Sequence, residues 1–136
     1  MKSVLIAATE MQIRVSYADT DQMGMVYYGN YLTYFERGRT EWLRQRGFSY
    51  KEMEMEGILL PVIECSCRYI SPARYDDMIT VRTGLTRIGP ASIEFGYEVV
   101  RDSKVITTGF TKHPVVNREF RPVRIPEKIA KILSGR

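Results

Sequence analysis

The chain has 136 residues, of which 44% are apolar and 26% charged, and a formal net charge of +4. That is enough for one folded core, residues 1–136 as a single domain, and the mixture excludes a disordered chain. No uninterrupted apolar run approaches the roughly 20 residues of a membrane-spanning helix. The early stretch 4–8 is shorter than the ~7–15-residue apolar segment of a secretion signal, so a cytoplasmic protein with no membrane span is expected.

Charge is unevenly spread. Residues 101–136 hold nine Lys or Arg against three Asp or Glu, a net +6, while the first hundred carry −2. Such a tail suits an anion (phosphates of a small ligand, or nucleic acid) or is solvated charge alone. Cys65 and Cys67 are too close in an extended segment for a disulfide. With His113 as the one histidine, a zinc site lacks donors, so neither metal nor cofactor is expected.

In chain order, residues 11–17 alternate, with Met11, Ile13, Val15 and Tyr17 on one face, which predicts a half-buried strand. Polar residues and Gly24 then mark a loop. From 28 to 46 the period changes. Tyr31, Phe35, Gly38 and Trp42 form one stripe of an amphipathic helix, with Gly38 placed for close approach to a sheet and Gly47 as its stop. Ser49 with Glu52 makes a capping box for a short helix through Glu56. Strands follow at 62–69, 78–88, 91–101 and 104–116, separated by Pro72, Asp76-Asp77, Gly89-Pro90 and Asp102-Ser103. Pro126 opens a last short helix ending near Leu133.

Strands joined by two-residue turns pair antiparallel. One long helix over about five such strands is a two-layer α+β domain. Its free edges and partly apolar outer face predict a homo-oligomer, a dimer or a dimer of dimers (a homotetramer).

The segment before the long helix is where chemistry is expected. A helix start has unpaired N–H groups and the positive end of the helix dipole, which suit the developing negative charge of a carbonyl under attack. A carboxylate beside it can activate water or attack the carbonyl itself. Asp19 takes the ordinary role of a loop or cap residue, leaving Asp21, nearer the helix, as the reactive candidate. Gly24 permits a tight turn. His113, far along the chain on a strand, reads as structural.

The string Asp-Thr-Asp-Gln-Met-Gly-Met-Val-Tyr-Tyr-Gly-Asn-Tyr at 19–31 resembles the signature of the 4-hydroxybenzoyl-CoA thioesterase-like hotdog proteins. Phe35-Glu36-Arg37, Glu41-Trp42-Leu43, the segment 69–77 and Arg121-Pro122-Val123-Arg124-Ile125-Pro126 are similar to later parts of that family. The likeness covers roughly residues 10–130. It implies a hotdog fold, a sheet wrapped around one long central helix, and hydrolysis of an acyl-CoA thioester to a free acid and CoA. Carried over, it makes Asp21 the catalytic carboxylate and the Tyr28 backbone N–H the group that polarises the thioester. Gly24, Asn30 and Tyr31 fall on motif positions as substrate-binding candidates. Many relatives carry histidine where this chain has Tyr28, so this chain must do without it or use the tyrosine hydroxyl. In such proteins the active site usually lies at a dimer interface.

CoA phosphates give the basic tail a meaning. Arg121 is the first choice for a phosphate contact, followed by Lys112, Arg118 and Arg124. A hotdog dehydratase is disfavoured because no histidine precedes residue 113. Nucleic acid is disfavoured because the tyrosines sit at core or pocket-wall positions instead of along a basic groove. A non-catalytic binder of acyl-CoA or carrier-protein thioesters remains the alternative, since both thioesters present the same phosphopantetheine arm.

Overall fold

Tight turns set the pairing of the strands. Asp102 and Ser103 both take positive φ (51° and 64°), the mirror-image turn whose twist matches a right-handed hairpin. The computed structural model describes residues 5–47 and 49–134. In it β1 (Ile6–Arg14), β2 (Glu64–Tyr69), β3 (Met78–Ile88), β4 (Ser92–Arg101) and β5 (Lys104–Pro114) form one antiparallel sheet in the order β1-β3-β4-β5-β2. The helices are α1 (Asn30–Gln45), α2 (Tyr50–Met55) and α3 (Glu127–Leu133). No helix among the described residues is long and apolar enough to cross a membrane.

The foreseen stripe of Tyr31, Phe35, Gly38 and Trp42 is buried, together with Leu43 and with Tyr34, which the stripe did not include, while Leu32 beside it is exposed. Phe35 stacks on Tyr97 with ring centres 4.3 Å apart, and Trp42 meets Phe95 edge-on at 5.5 Å. Gly38 lets the two layers close. A Cβ there would overlap Thr83 Oγ1 and stand 3.0 Å from Val81 Cγ1. At its other end α1 is tied to β1 by a bulge, where Ala7 takes φ 54°. The Ala7 carbonyl accepts from the Trp42 indole N–H at 2.9 Å and from Arg46 at 2.6 Å.

Two expectations need correction. The first strand starts earlier and stops earlier than its alternation suggested. Tyr17 lies in a 3-10 turn, exposed, because pairing with β3 ends at Arg14–Met78. The strand at 62–69 alternates, with Ile63, Cys65 and Cys67 on one face, yet in β2 only Cys67 is half-buried against the core, and Ile63 and Cys65 are exposed. The reason is lateral. α1 lies over β1, β3 and β4, and β2 is the outer edge on the opposite side of the sheet. That offset leaves room beside the N-terminal end of α1.

Candidate active site

Asp19 and Asp21 sit in the loop from β1 to α1, a narrow hairpin closed by the Thr20–Val26 bridge. Their side chains do different things. Asp19 accepts from the Tyr34 hydroxyl at 2.9 Å, and its carbonyl accepts from Asn30 Nδ2 at 2.8 Å and from the Tyr27 N–H at 2.9 Å. Burial, together with the Asp19 carboxylate, pushes the Tyr34 hydroxyl well above its ordinary value. Asp19 is therefore the anchor of the loop, and Asn30 serves that anchor. Asp21 is half-buried. One of its oxygens accepts from the Met23 N–H at 2.9 Å, and its backbone N–H donates to the Met25 carbonyl at 2.9 Å. Gly24, at φ 76°, makes the intervening turn.

The helix opens in a way that leaves particular amides free. Gly29, its N-cap, contributes no side-chain cap and already has helical angles. The first turn is tight: Asn30 N–H donates to the Tyr27 carbonyl (2.9 Å), Tyr31 to Tyr28 (3.4 Å) and Leu32 to Gly29 (3.2 Å). The unpaired donors are thereby moved back to the N–H groups of Tyr28 and Gly29, which find no acceptor among the described residues. Both peptides are pinned through their carbonyls. Tyr27's is held by Asn30, and Tyr28's also accepts from the Tyr69 hydroxyl at 2.9 Å. Tyr28 thus lies two residues ahead of α1 instead of inside it, and its exposed ring packs on Tyr27 with centres 4.7 Å apart.

Beside this turn is a cavity of about 180 Å³ lined by Met25, Val26, Tyr28, Tyr31, Tyr69, Ile70, Ser71 and Pro72. Of the residues singled out from the sequence, Tyr28 and Tyr31 line it. Asp21 flanks it through its pairing with Met25, and Gly24 and Asn30 shape the loop behind it. Sequence reasoning assigned no role to Tyr69, although it begins the segment quoted for the family likeness. The apolar Ile70 and proline that follow at a strand's end were the available signal. A larger depression on the opposite sheet face, about 540 Å³, places both of its carboxylates on one guanidinium. Arg82 pairs with Glu98 at 2.7 Å and with Glu10 at 3.5 Å.

The basic tail lies elsewhere. Tyr69 faces Thr107 on β5, and the run from Thr107 to Val116 spans roughly 30 Å at about 3.3 Å per residue. Arg118 and Arg121 lie past that end, and the chain then turns back with the Val123 N–H on the Val115 carbonyl, which leaves Arg124 beside it; all three are at the end of β5 remote from the cavity. Lys112 sits between Glu64 (3.4 Å) and Glu94 (3.9 Å), and Arg118 donates to the carbonyls of Glu54 and Met55. The Arg121 and Arg124 guanidinium groups have no hydrogen-bond or ion-pair partner among the described residues.

His113 is buried in a chain whose direction is set at its ends. The Leu60 carbonyl only accepts, so Nδ1 carries the proton and donates to it at 3.0 Å. Nε2 then accepts from Thr111 Oγ1 at 2.7 Å. Thr111 in turn accepts from the Tyr97 hydroxyl at 2.6 Å, which receives Arg39 at 3.5 Å. Burial pulls the imidazole down to about 4, and the nearby Arg39 charge adds to the effect. This histidine is neutral and belongs to the core.

Residues 15–133 match the thioesterase-like superfamily. The chain belongs to that family. It is 32% identical over 119 residues to the acyl-CoA thioesterase YbgC of Haemophilus influenzae, covering 86% of this chain and 88% of the relative. Its fold overlays that of a DHNA-CoA thioesterase from Staphylococcus aureus with a TM-score of 0.89 at 29% identity, covering 94% and 89% of the two chains. A hypothetical protein from Thermus thermophilus, 36% identical, overlays with a TM-score of 0.88 over 93% of this chain and 97% of its own. The fold of this thioesterase is the hotdog arrangement that its motif implied.

Proposed function

We propose that this thioesterase hydrolyses acyl-CoA, or another thioester on a phosphopantetheine arm, to a free acid and a thiol. The observation that carries the reading is the Tyr28 N–H, without an acceptor among the described residues, on a residue that lines an apolar cavity beside the Asp21 loop. The thioester carbonyl oxygen lies against the Tyr28 N–H, with Gly29 N–H as a neighbouring donor. Charge developing on that oxygen is met by donors already in place, which is the effective form of such stabilisation.

Asp21 supplies the carboxylate. As general base it takes a proton from water while the water oxygen adds to the carbonyl carbon. The C–S bond then breaks, and the proton passes to the departing thiolate. As nucleophile its oxygen adds instead, the thiolate leaves, and water cleaves the resulting anhydride to restore Asp21. In either route the bond from Met23 N–H holds one carboxylate oxygen and leaves the other for reaction. Tyr31 supports the cavity wall, while Gly24 and Asn30 hold the loop.

The phosphates fall to the two arginines without a partner among the described residues, Arg121 first and Arg124 second, serving the cavity of a neighbouring copy because they lie at the end of β5 remote from their own. The working enzyme is then a homo-oligomer. Thiol release from acyl-CoA esters tests the activity: steady release is expected, and none from any ester defeats the proposal. Arg121→Ala is expected to raise KM several-fold for CoA esters and leave KM for the matching pantetheine esters unchanged. An equal effect on both removes the phosphate role.

A further inference from the structure

We propose that the hairpin tip around Phe120 seats the adenine ring of CoA, and that Phe120 thereby favours CoA over carriers of the acyl group that lack the nucleotide. The inference rests on the thioesterase reading and on its basic tail serving a neighbouring copy. It begins from a cost with no return in the fold. Phe120 takes φ 59°, a left-handed angle that strains a bulky side chain, and it is 67% exposed. Its ring has no part in the buried core.

The tip holds that ring in place. Asn117 Oδ1 accepts from the Glu119 N–H at 3.0 Å and from the Arg121 N–H at 3.1 Å. The Asn117 N–H donates to the Arg121 carbonyl at 3.0 Å, and the Phe120 N–H to the Asn117 carbonyl at 2.9 Å. The Val116–Pro122 bridge closes the stem. Arg118 reaches across to the last turn of α2, donating to the Glu54 and Met55 carbonyls at 3.2 and 3.1 Å. An exposed ring on a backbone tied at so many points loses little freedom when it binds.

Charge says what such a ring meets. Arg121 follows Phe120 directly and Arg124 comes three residues later, both exposed and both without a partner among the described residues. A flat apolar ring beside two guanidinium groups matches a ligand that joins a π-face to phosphates. The adenosine end of CoA is such a ligand. A carrier protein attaches the same arm to a protein side chain and offers no base to stack. The ring therefore reads what carries the acyl group and is indifferent to the acyl group itself.

The test is calorimetric binding of CoA and of 4′-phosphopantetheine, the same arm without the nucleotide. Wild type is expected to bind CoA at least tenfold more tightly. Phe120→Ala should weaken CoA about fivefold or more and phosphopantetheine by less than about twofold. Phe120→Trp, which keeps a stacking face, should stay within about twofold of wild type for both. Phe120→Gly suits the positive φ and gives the same test should the alanine variant not fold. CoA binding that is unchanged in a folded Phe120→Ala or Phe120→Gly overturns the inference. So does an equal loss for both ligands, a Phe120→Trp as weak as Phe120→Ala, or a wild type that does not distinguish the two. CoA binding that depends on Phe120 in a protein that hydrolyses no ester supports the platform and defeats the hydrolytic reading instead. Hydrolysis of CoA esters with CoA binding indifferent to Phe120 does the reverse.

Discussion

Tyr34 and Asp19 show how much one hydrogen bond contributes to the site without touching substrate. The tyrosine hydroxyl reaches from the buried face of α1 to the Asp19 carboxylate, and Asp19 in turn holds Asn30 and Tyr27. Tyr34→Phe keeps the packing but leaves that carboxylate without this donor in a half-buried position. It is expected to cost about 1–3 kcal/mol of unfolding free energy, read from urea denaturation. No change would show that Asp19 is held by its backbone alone. The loop-anchoring role of Asp19 was legible in the sequence, because a helix start asks for a nearby loop anchor. The partner of Asp19 was not, since Tyr34 is fifteen residues away and reaches it only once α1 forms.

At the scale of elements, β5 carries a buried titratable group whose protonation opposes folding. His113 is neutral in the fold at a value of about 4, against about 6.5 when unfolded. The groups facing it are Arg39 from α1, Tyr97 and Phe95 from β4, and the Leu60 carbonyl. A folded value below the unfolded one means that the unfolded chain binds the proton more readily. Stability is therefore full above about pH 6.5 and falls as the pH drops toward 4, by up to about 3 kcal/mol. His113→Gln should flatten that part of the stability-against-pH curve in denaturant titrations, and an equally steep curve would place the acid sensitivity elsewhere. The turn at Asp102-Ser103 announced a strand at 104–116, but nothing in the sequence announces that Thr111 links His113 to the Tyr97 hydroxyl. That chain is made by strand pairing and the return of the Leu60 loop. The edge strand β2 failed for a related reason. Periodicity reports which residues could be covered, and α1, lying over the other side of the sheet, does not cover them.

For the whole molecule, the unpaired outer edge of β2 is flanked by exposed Val62, Ile63, Tyr69 and Ile70. Together with Arg121 and Arg124, which lie at the end of β5 remote from their own cavity, this edge supports an assembly of copies. Light scattering is expected to give a mass of at least two chains, and Ile63→Glu, which puts charge beside the edge, is expected to lower it. A monomer that hydrolyses CoA esters at full rate would contradict the shared site. The measurement closest to the centre is kcat for the acyl-CoA ester that wild type turns over fastest, with Asp21→Asn, which keeps the side chain's size and removes its charge. A loss on the order of 10³-fold, with native circular dichroism and unchanged oligomeric mass, is predicted. Hydrolysis at the wild-type rate in that folded variant would contradict the role given to Asp21.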